Sequence, residues 1–126
     1  MEDLFVLFRD RVSSEQIRVV VAEQGYQKIV GGDDVFNVQY NAPKYWEWSP
    51  MRRELGGWDV FEEEETSRIS SLGVESIFGV SYHVNSLHLL LPLLKHILDR
   101  YQGWIAADDA FDVVYDREHV LDFGRG

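Results

Sequence analysis

The sequence predicts an α+β domain built as a two-layer sandwich, with a mainly antiparallel sheet and two helices on one face. Two stretches carry apolar residues at helical spacing, and the short segments around them are continuously apolar or alternate as strands do. Because each predicted helix has one apolar face, both need a common sheet to cover it. The 126 residues have the length of one domain, which we place at residues 1–126. A ferredoxin-like or related topology has this order of elements.

The N-terminal part of the chain predicts a strand followed by a helix. Residues 4–8 form a continuous apolar run of strand length. Ser13 and Gln16 have the spacing of a capping box, in which each side chain satisfies a backbone N–H at the start of a helix. Gly25 is a natural end for that helix. We therefore expect the first strand and helix within residues 3–25.

The strongest pattern lies between residues 75 and 115 and reads strand, helix, strand. Residues 77–84 have strand composition, and Gly103 ends the helix that follows them. An apolar stripe at steps of three and four runs along this helix through Leu87, Leu90, Leu91, Leu94, Ile97, Leu98 and Tyr101. Pro92 lies within the stripe and lacks a backbone N–H, so we expect the helix to kink there or to begin near Leu91.

Further strands complete the predicted sheet. Strand-like composition or partial alternation occurs in residues 35–40, 45–48, 103–107 and 111–115. A last short strand is expected over residues 119–123. Residues 41–75 are the least regular part of the chain, since two prolines interrupt them and no helical stripe runs through them.

Composition and charge limit the classes of function. The chain has no apolar run of about twenty residues, so we expect no membrane span. It has no cysteine, and its acidic first residues lack the basic start of a signal peptide, so we expect a cytoplasmic protein without disulfides. The net charge of −10 is spread along the chain. This acidity argues against nucleic-acid binding and favours a basic protein partner.

No catalytic, metal or cofactor motif stands out. The Gly31-Gly32 pair lacks the rest of a phosphate-binding loop, and the serines lack the Gly-x-Ser-x-Gly pattern of a nucleophile elbow. The aspartates between residues 108 and 116 lack the spacing of a calcium loop. The histidines lack the spacing of a zinc site. We therefore expect no catalytic residue, no metal and no cofactor.

An aromatic and acidic segment is the predicted contact surface for a protein partner. Aromatic anchors and acidic steering groups are expected at Trp46, Trp48, Trp58, Glu62, Glu63, Glu64 and Glu65, with Asp108 and Asp109 as a second acidic patch. The other interpretation of the tryptophans is core packing, and the other interpretation of the four glutamates is a solvated loop or edge.

Three features together resemble a known class of proteins at the level of pattern. They are the strand at residues 77–84, the leucine-rich helix to Tyr101, and the ending Gly103-Trp104-Ile105 with Asp108-Asp109. In a small, acidic, cysteine-free chain, this layout resembles the immunity proteins of bacterial polymorphic-toxin and contact-dependent systems as a broad class. The resemblance implies binding and neutralisation of a toxin by an acidic surface, without catalysis. It assigns no role to an individual residue.

Two alternatives remain open. One is a small-molecule-binding or enzymatic domain with a pocket between the helix and the sheet, near His83, His88 and Trp104. The other is a structural homo-oligomer in which the aromatic segment forms a symmetric interface. The first alternative requires those three side chains to line one cavity, and the second requires the aromatic side chains to be exposed.

Overall fold

The computed structural model describes residues 2–32, 34–41, 44–51, 53–54, 57–58, 61–107 and 110–124. The strands are β1 (Glu2–Phe8), β2 (Lys28–Gly31), β3 (Phe36–Asn41), β4 (Lys44–Pro50), β5 (Arg53–Glu54), β6 (Gly57–Trp58), β7 (Ser76–Tyr82), β8 (Gly103–Ala107) and β9 (Ala110–Tyr115). The α-helices are α1 (Ser14–Glu23), α2 (Glu63–Ser71) and α3 (Leu87–Arg100). Short 3₁₀ helices cover Val84–Ser86 and Val120–Asp122.

Seven of the described strands form one antiparallel sheet in the order β2-β3-β4-β7-β1-β8-β9. Strand β1 lies inside the sheet and pairs antiparallel with both β7 and β8. The expected α+β class and the antiparallel sheet are therefore confirmed. The ferredoxin-like topology is not confirmed, because that fold has four strands and two helices, whereas this sheet has seven strands and the described chain has three α-helices.

The main hydrophobic core lies between one face of the sheet and helices α1 and α3. The apolar stripe of α3 is buried there through Leu90, Leu94 and Ile97, which confirms the helical periodicity. The sheet contributes alternate residues of β1, among them Leu4 and Val6. Burial of these side chains is the main favourable term for this layer, at about 25 cal/mol per Å² of apolar surface.

Helix α2 packs on the opposite face of the sheet. Its one buried residue among those described, Ile69, joins a second cluster with Leu7, Ile77 and Ala106. These strand residues alternate with the core residues, so their side chains point away from α1 and α3. The expectation of two helices on one face is therefore not confirmed, since the described chain also has a third helix, on the other face.

The predicted helix start at Ser13 is confirmed. The Ser13 side chain accepts a hydrogen bond from the Gln16 backbone N–H, and the Gln16 side chain accepts one from the Ser13 backbone N–H at 2.8 Å. Helix α3 begins at Leu87, directly after the 3₁₀ turn, and has Pro92 inside it. The alternative of a late start near Leu91 is therefore wrong.

Two local predictions need correction. Glu63–Ser71 forms a helix where the sequence indicated an irregular segment. Ile69 is its one buried residue among those described, so the helix has no apolar stripe by which the sequence could have predicted it. Residues 119–123 form no strand, because Val120–Asp122 turns as a 3₁₀ helix that buries Val120 and Phe123 in the main core. Within the described ranges, every helix falls short of the length and apolar character needed to cross a membrane.

Candidate functional site

Two of the predicted aromatic anchors, Trp46 and Trp48, lie in the main core and are fully buried. Trp46 stacks on Tyr40 with ring centroids 4.4 Å apart, and Trp48 stacks on Phe36. The prediction that these indoles contact a partner is therefore wrong for the folded chain. Both residues point to the same face of β4, and that face is covered by α1 and α3. The core-packing interpretation applies to them, and they cannot form a symmetric interface.

The environment of Trp46 also perturbs a neighbouring tyrosine. The Tyr26 ring meets the Trp46 indole edge to face, with centroids 5.4 Å apart. Burial raises the pKa of the Tyr26 phenol, because the phenolate would lose solvation there. Tyr26 therefore stays neutral at physiological pH, and its ring packs against the main core.

Three predicted contact positions lie outside what the structure describes. They are the Trp58 side chain and residues Asp108 and Asp109. Their contribution to a partner surface stays a prediction.

The four consecutive glutamates form the start of α2. Glu62, Glu63 and Glu64 are exposed, and Glu65 is half-buried. The Glu65 Oε1 atom accepts a hydrogen bond of 3.1 Å from the Glu62 backbone N–H, which caps the helix. Carboxylates are favoured here because the N-terminal end of a helix carries partial positive charge. Their exposure agrees with the solvated interpretation, and the carboxylates of Glu63 and Glu64 have no side-chain partner within the described residues.

A ring contact places this turn over the sheet. Phe61, which directly precedes the glutamates, meets Phe5 of β1 edge to face with centroids 5.0 Å apart. Phe5 points to the α2 face of the sheet, since it packs with the second cluster. The first turn of α2 therefore lies over the same face and close to β1.

Two further carboxylates lie on that face of the sheet. Asp3 is two residues before Phe5 in β1, so both side chains point the same way. Asp3 pairs with Ser81, which in turn pairs with Glu47 of β4, and the Ser81 hydroxyl donates a hydrogen bond to Asp3 Oδ1. We call Asp3, Glu47, Glu62, Glu63 and Glu64 the acidic face. Sequence reasoning missed Asp3 and Glu47, because only the strand register brings them together.

The acidic face continues into polar residues across β3 and β2. On β3, Asn37 pairs with Glu47, and Gln39 pairs with Tyr45, which lies on the same face of β4 as Glu47. Gln39 pairs with Lys28 on the edge strand β2. Most described positions on this half of the sheet face are therefore polar, and Val30, which pairs with Asn37, is an exposed apolar residue among them. Lys28 is a cation at its far margin.

A cleft of about 490 Å³ lies at the C-terminal end of α3. We call it the C-terminal cleft, and its walls are Leu98, Asp99, Arg100, Gln102, Gly103, Trp104, Asp116, Arg117 and Glu118. Three parts of the chain meet there, namely the last turn of α3, the start of β8 and the turn after β9. Sequence reasoning gave no signal for this grouping, because its charged residues are scattered and form no motif.

Ion pairs organise the charges of the C-terminal cleft. Arg100 forms a two-pronged ion pair with Glu23 of α1, at 2.7 and 3.2 Å, and this pairing raises the pKa of the guanidinium further. Asp116 Oδ1 lies 2.7 Å from His119 Nδ1. The hydrogen bond and the attraction between these two raise the pKa of His119 and lower the pKa of Asp116.

His83, His88 and Trp104, which were expected to form the alternative pocket, do not line one cavity in the described part of the chain. Trp104 lines the C-terminal cleft, whereas His88 lines an apolar groove of about 380 Å³ with Pro92 and Phe123. His88 and Arg100 lie at opposite ends of α3, roughly 18 Å apart along the axis at 1.5 Å per residue. His83 is exposed and lines neither cavity. The geometry therefore gives no support to a pocket that unites the three.

Among the described residues, no three histidine, aspartate or glutamate side chains converge as the ligands of a metal ion would. The comparisons with known proteins yielded no match to a family model, to a curated protein or to a solved structure. The assignment of function therefore depends on the geometry and charge of the chain itself.

Proposed function

We propose that this chain is a non-enzymatic protein-binding domain that docks a basic protein on its acidic face, and that it acts as an immunity protein neutralising a basic toxin. The observation that carries the proposal is the position of Glu62, Glu63 and Glu64. They are exposed on the first turn of α2, which lies over the sheet face that carries Asp3 and Glu47.

The charges of this face favour a cationic partner. Glu47, Glu63 and Glu64 have no ion-pair or side-chain hydrogen-bond partner within the described residues, so no described group neutralises their charges. Unpaired surface carboxylates attract a basic surface over distances of about 10 Å at 0.1 M salt. These charges mainly raise the rate at which a basic partner associates and the selectivity against acidic proteins, and they contribute less to the affinity itself.

Neutralisation fits the chemistry of a basic toxin. An enzyme that attacks nucleic acid needs lysines and arginines to hold the phosphate backbone. An acidic protein that covers these groups competes with the substrate directly, and it needs no catalytic group of its own. The absence of a recognisable catalytic motif in the sequence is in keeping with this role.

The proposal is tested by capture from a lysate of the source organism, at low and at high salt. We expect one basic protein to bind at low salt and to be released at high salt. Expressed alone, that protein should arrest growth, and co-expression with this chain should restore it. A captured protein that is not toxic would contradict the immunity role, and capture of no protein at either salt would contradict the docking role as well.

A further inference from the structure

Strand β9 lies at one edge of the seven-stranded sheet, where β8 is its neighbour in the sheet. In an antiparallel strand, the backbone N–H and C=O groups of alternate residues point to opposite sides. About half of the backbone polar groups of β9 therefore point away from β8. Within the described ranges, no further backbone segment hydrogen-bonds with them. Such a row of donors and acceptors is a template for another extended chain.

The pairing of β8 with β9 is irregular and leaves further backbone groups outside the ladder. Two pairs define it, Ile105 with Tyr115 and Ala107 with Ala110, with a register shift between them. From one pair to the next, β8 advances by two residues and β9 by five. Residues 111–114 therefore face the single residue Ala106, which cannot satisfy the hydrogen-bonding groups of all four. A bulge can also turn an edge away from a partner, so ladder formation itself has to be measured.

Side chains of β9 are incompletely covered on both faces of the sheet. Val113 points to the same face as Tyr115, and it is 50% exposed. Val114 points to the opposite face, where it packs half-buried with the second cluster. A strand added beside β9 would cover both valines from its own alternate positions. β-Branched side chains are the ones that suit such positions.

The other edge strand, β2, is protected in ways that β9 is not. It has four residues, whereas β9 has six, and the exposed Lys28 lies at its start. A short strand and a lysine are two of the devices by which proteins prevent pairing at a sheet edge. The side chains of β9 that the structure describes belong to Val113, Val114 and Tyr115, and they carry no charge at neutral pH. This contrast favours β9 as the edge that accepts a partner strand.

The charges around β9 favour a cationic occupant. Residues 108–118 contain one arginine, Arg117, and five carboxylates, at Asp108, Asp109, Asp112, Asp116 and Glu118. Asp116 is paired with His119, and the remaining acids still outnumber Arg117. A second copy of this chain would bring two such acidic segments together, so repulsion between like charges opposes it. A segment that carries lysines or arginines is attracted instead.

We propose that β9 binds an extended basic segment of the partner protein as an additional strand of the sheet, with β-branched side chains of that segment beside Val113 and Val114. In this mode of recognition, the backbone hydrogen bonds supply affinity and the alternate side chains supply specificity. The proposal rests on the proposed function for the basic nature of the partner. Strand β9 and the acidic face share no residue, so each can be tested without the other.

The experiment is a two-dimensional ¹H–¹⁵N NMR titration of the full chain with the capped peptide Lys-Val-Lys-Val-Lys-Val-Lys. We expect the peptide to shift the amide signals of residues 110–115 and to slow the hydrogen exchange of several of them. The control Lys-Val-Lys-Pro-Lys-Val-Lys keeps the charge but resists strand pairing, because proline lacks the backbone N–H. It should bind about tenfold more weakly, and so should the control with glutamate in place of lysine.

One substitution, made at each edge of the sheet, provides the matched pair of variants. V113K places a lysine on β9 and should weaken binding of the valine peptide about tenfold. V30K places the same residue on β2, where Val30 is 54% exposed, and should leave binding within about twofold of the wild type. Both positions are exposed, and thermal unfolding of the two variants checks that they fold.

Three results would overturn the inference. Equal binding of the valine and proline peptides would show attraction by charge alone, and equal binding by V113K and V30K would place the peptide elsewhere. A dimer of the chain in sedimentation equilibrium that V113K dissociates would make the occupant a second copy. If shifts occur only at residues 62–64, the β9 proposal fails while docking on the acidic face stands.

Discussion

The indole nitrogen of Trp46 donates a hydrogen bond of 3.1 Å to Oγ of Ser86, which lies 40 residues later in the chain. The Ser86 hydroxyl in turn donates to the carbonyl oxygen of His83 at 2.8 Å. Both Trp46 and Ser86 are buried. This chain of two bonds ties strand β4 to the turn from which α3 begins. The buried indole N–H of Trp46 thereby has a hydrogen-bond acceptor inside the core.

Replacing Ser86 by alanine should destabilise the chain by about 1–3 kcal/mol, because the buried Trp46 N–H would lose its acceptor. Urea unfolding followed by tryptophan fluorescence measures the difference. The matched control is S71A, since the Ser71 hydroxyl donates to the Arg68 carbonyl at the exposed end of α2. Equal unfolding free energies for the two variants would refute the structural role of the Ser86 bond.

Two glycines of the sheet should differ sharply in their tolerance of alanine. A Cβ at Gly103 would overlap the Leu7 carbonyl, which belongs to the backbone and cannot give way. G103A should therefore cost about 3 kcal/mol or more. A Cβ at Gly79 would approach the flexible Met51 methyl group at 3.2 Å, so G79A should cost about 1 kcal/mol or less. Thermal unfolding of both variants gives the comparison, and a larger loss for G79A would contradict the described packing of β8 on β1.

Replacing Pro92 by alanine should stabilise the chain by about 1–2 kcal/mol. Proline in a helix interior is about 3 kcal/mol less favourable than alanine, and part of this gain is offset by the greater freedom of the unfolded chain. Pro92 is exposed, so its removal opens no cavity. Denaturant unfolding tests the prediction, with H96A at another exposed position of α3 as control. A destabilised P92A would mean that Pro92 makes a contact beyond its backbone effect.

The pair of Asp116 and His119 should make folding stability depend on pH. Asp116 raises the pKa of His119 above its ordinary value of 6.5. The contribution of His119 to folding stability is therefore complete below pH 6.5 and is lost as the pH rises through its pKa in the folded chain. The pKa of Asp116 is lowered below its ordinary 3.8, so its contribution is complete above that value and is lost as pH falls through the folded pKa. The pair therefore contributes most between those two values.

D116N should lower the pKa of His119 towards its ordinary value, as measured by NMR titration of the imidazole signals. High salt should lower it in the wild type as well, because the pair is exposed and screened. An unchanged His119 pKa in D116N would show that the 2.7 Å contact does not persist in solution.

The fold was predictable where local patterns dominate. The Ser13–Gln16 cap and the apolar stripe of α3 each depend on residues within a few positions of one another, so the sequence displays them directly. Helix α2 has one buried described residue and polar neighbours, so no periodic signal identified it. It is stabilised by its packing on the sheet, which depends on distant parts of the chain.

The candidate site was predictable only in part. The glutamate run was visible as a block of charge, but the sequence did not show that it begins a helix. Trp46, Glu47 and Trp48 alternate as a strand does, yet which of the two faces is buried depends on where α1 and α3 pack. The addition of Asp3 and Glu47 to the acidic face depends on strand pairings between residues far apart in sequence, such as Asp3 with Ser81.

Docking of a basic protein on the acidic face can be tested by mutation. The most direct measurement is the dissociation constant of the captured partner for the wild type, for E62Q/E63Q/E64Q and for the control D10N/E15Q/D34N, at low and at high salt. The first variant retains Glu65, which caps α2. The control removes an equal charge from exposed residues at the far end of β1 and around the start of α1.

We expect E62Q/E63Q/E64Q to bind the partner roughly tenfold more weakly at low salt, a loss of about 1.4 kcal/mol, and its affinity to depend less on salt than that of the wild type. The control should bind within about threefold of the wild type, because its neutralised residues lie away from the docking surface. Equal affinities and equal salt dependence for the two triple variants would contradict the claim.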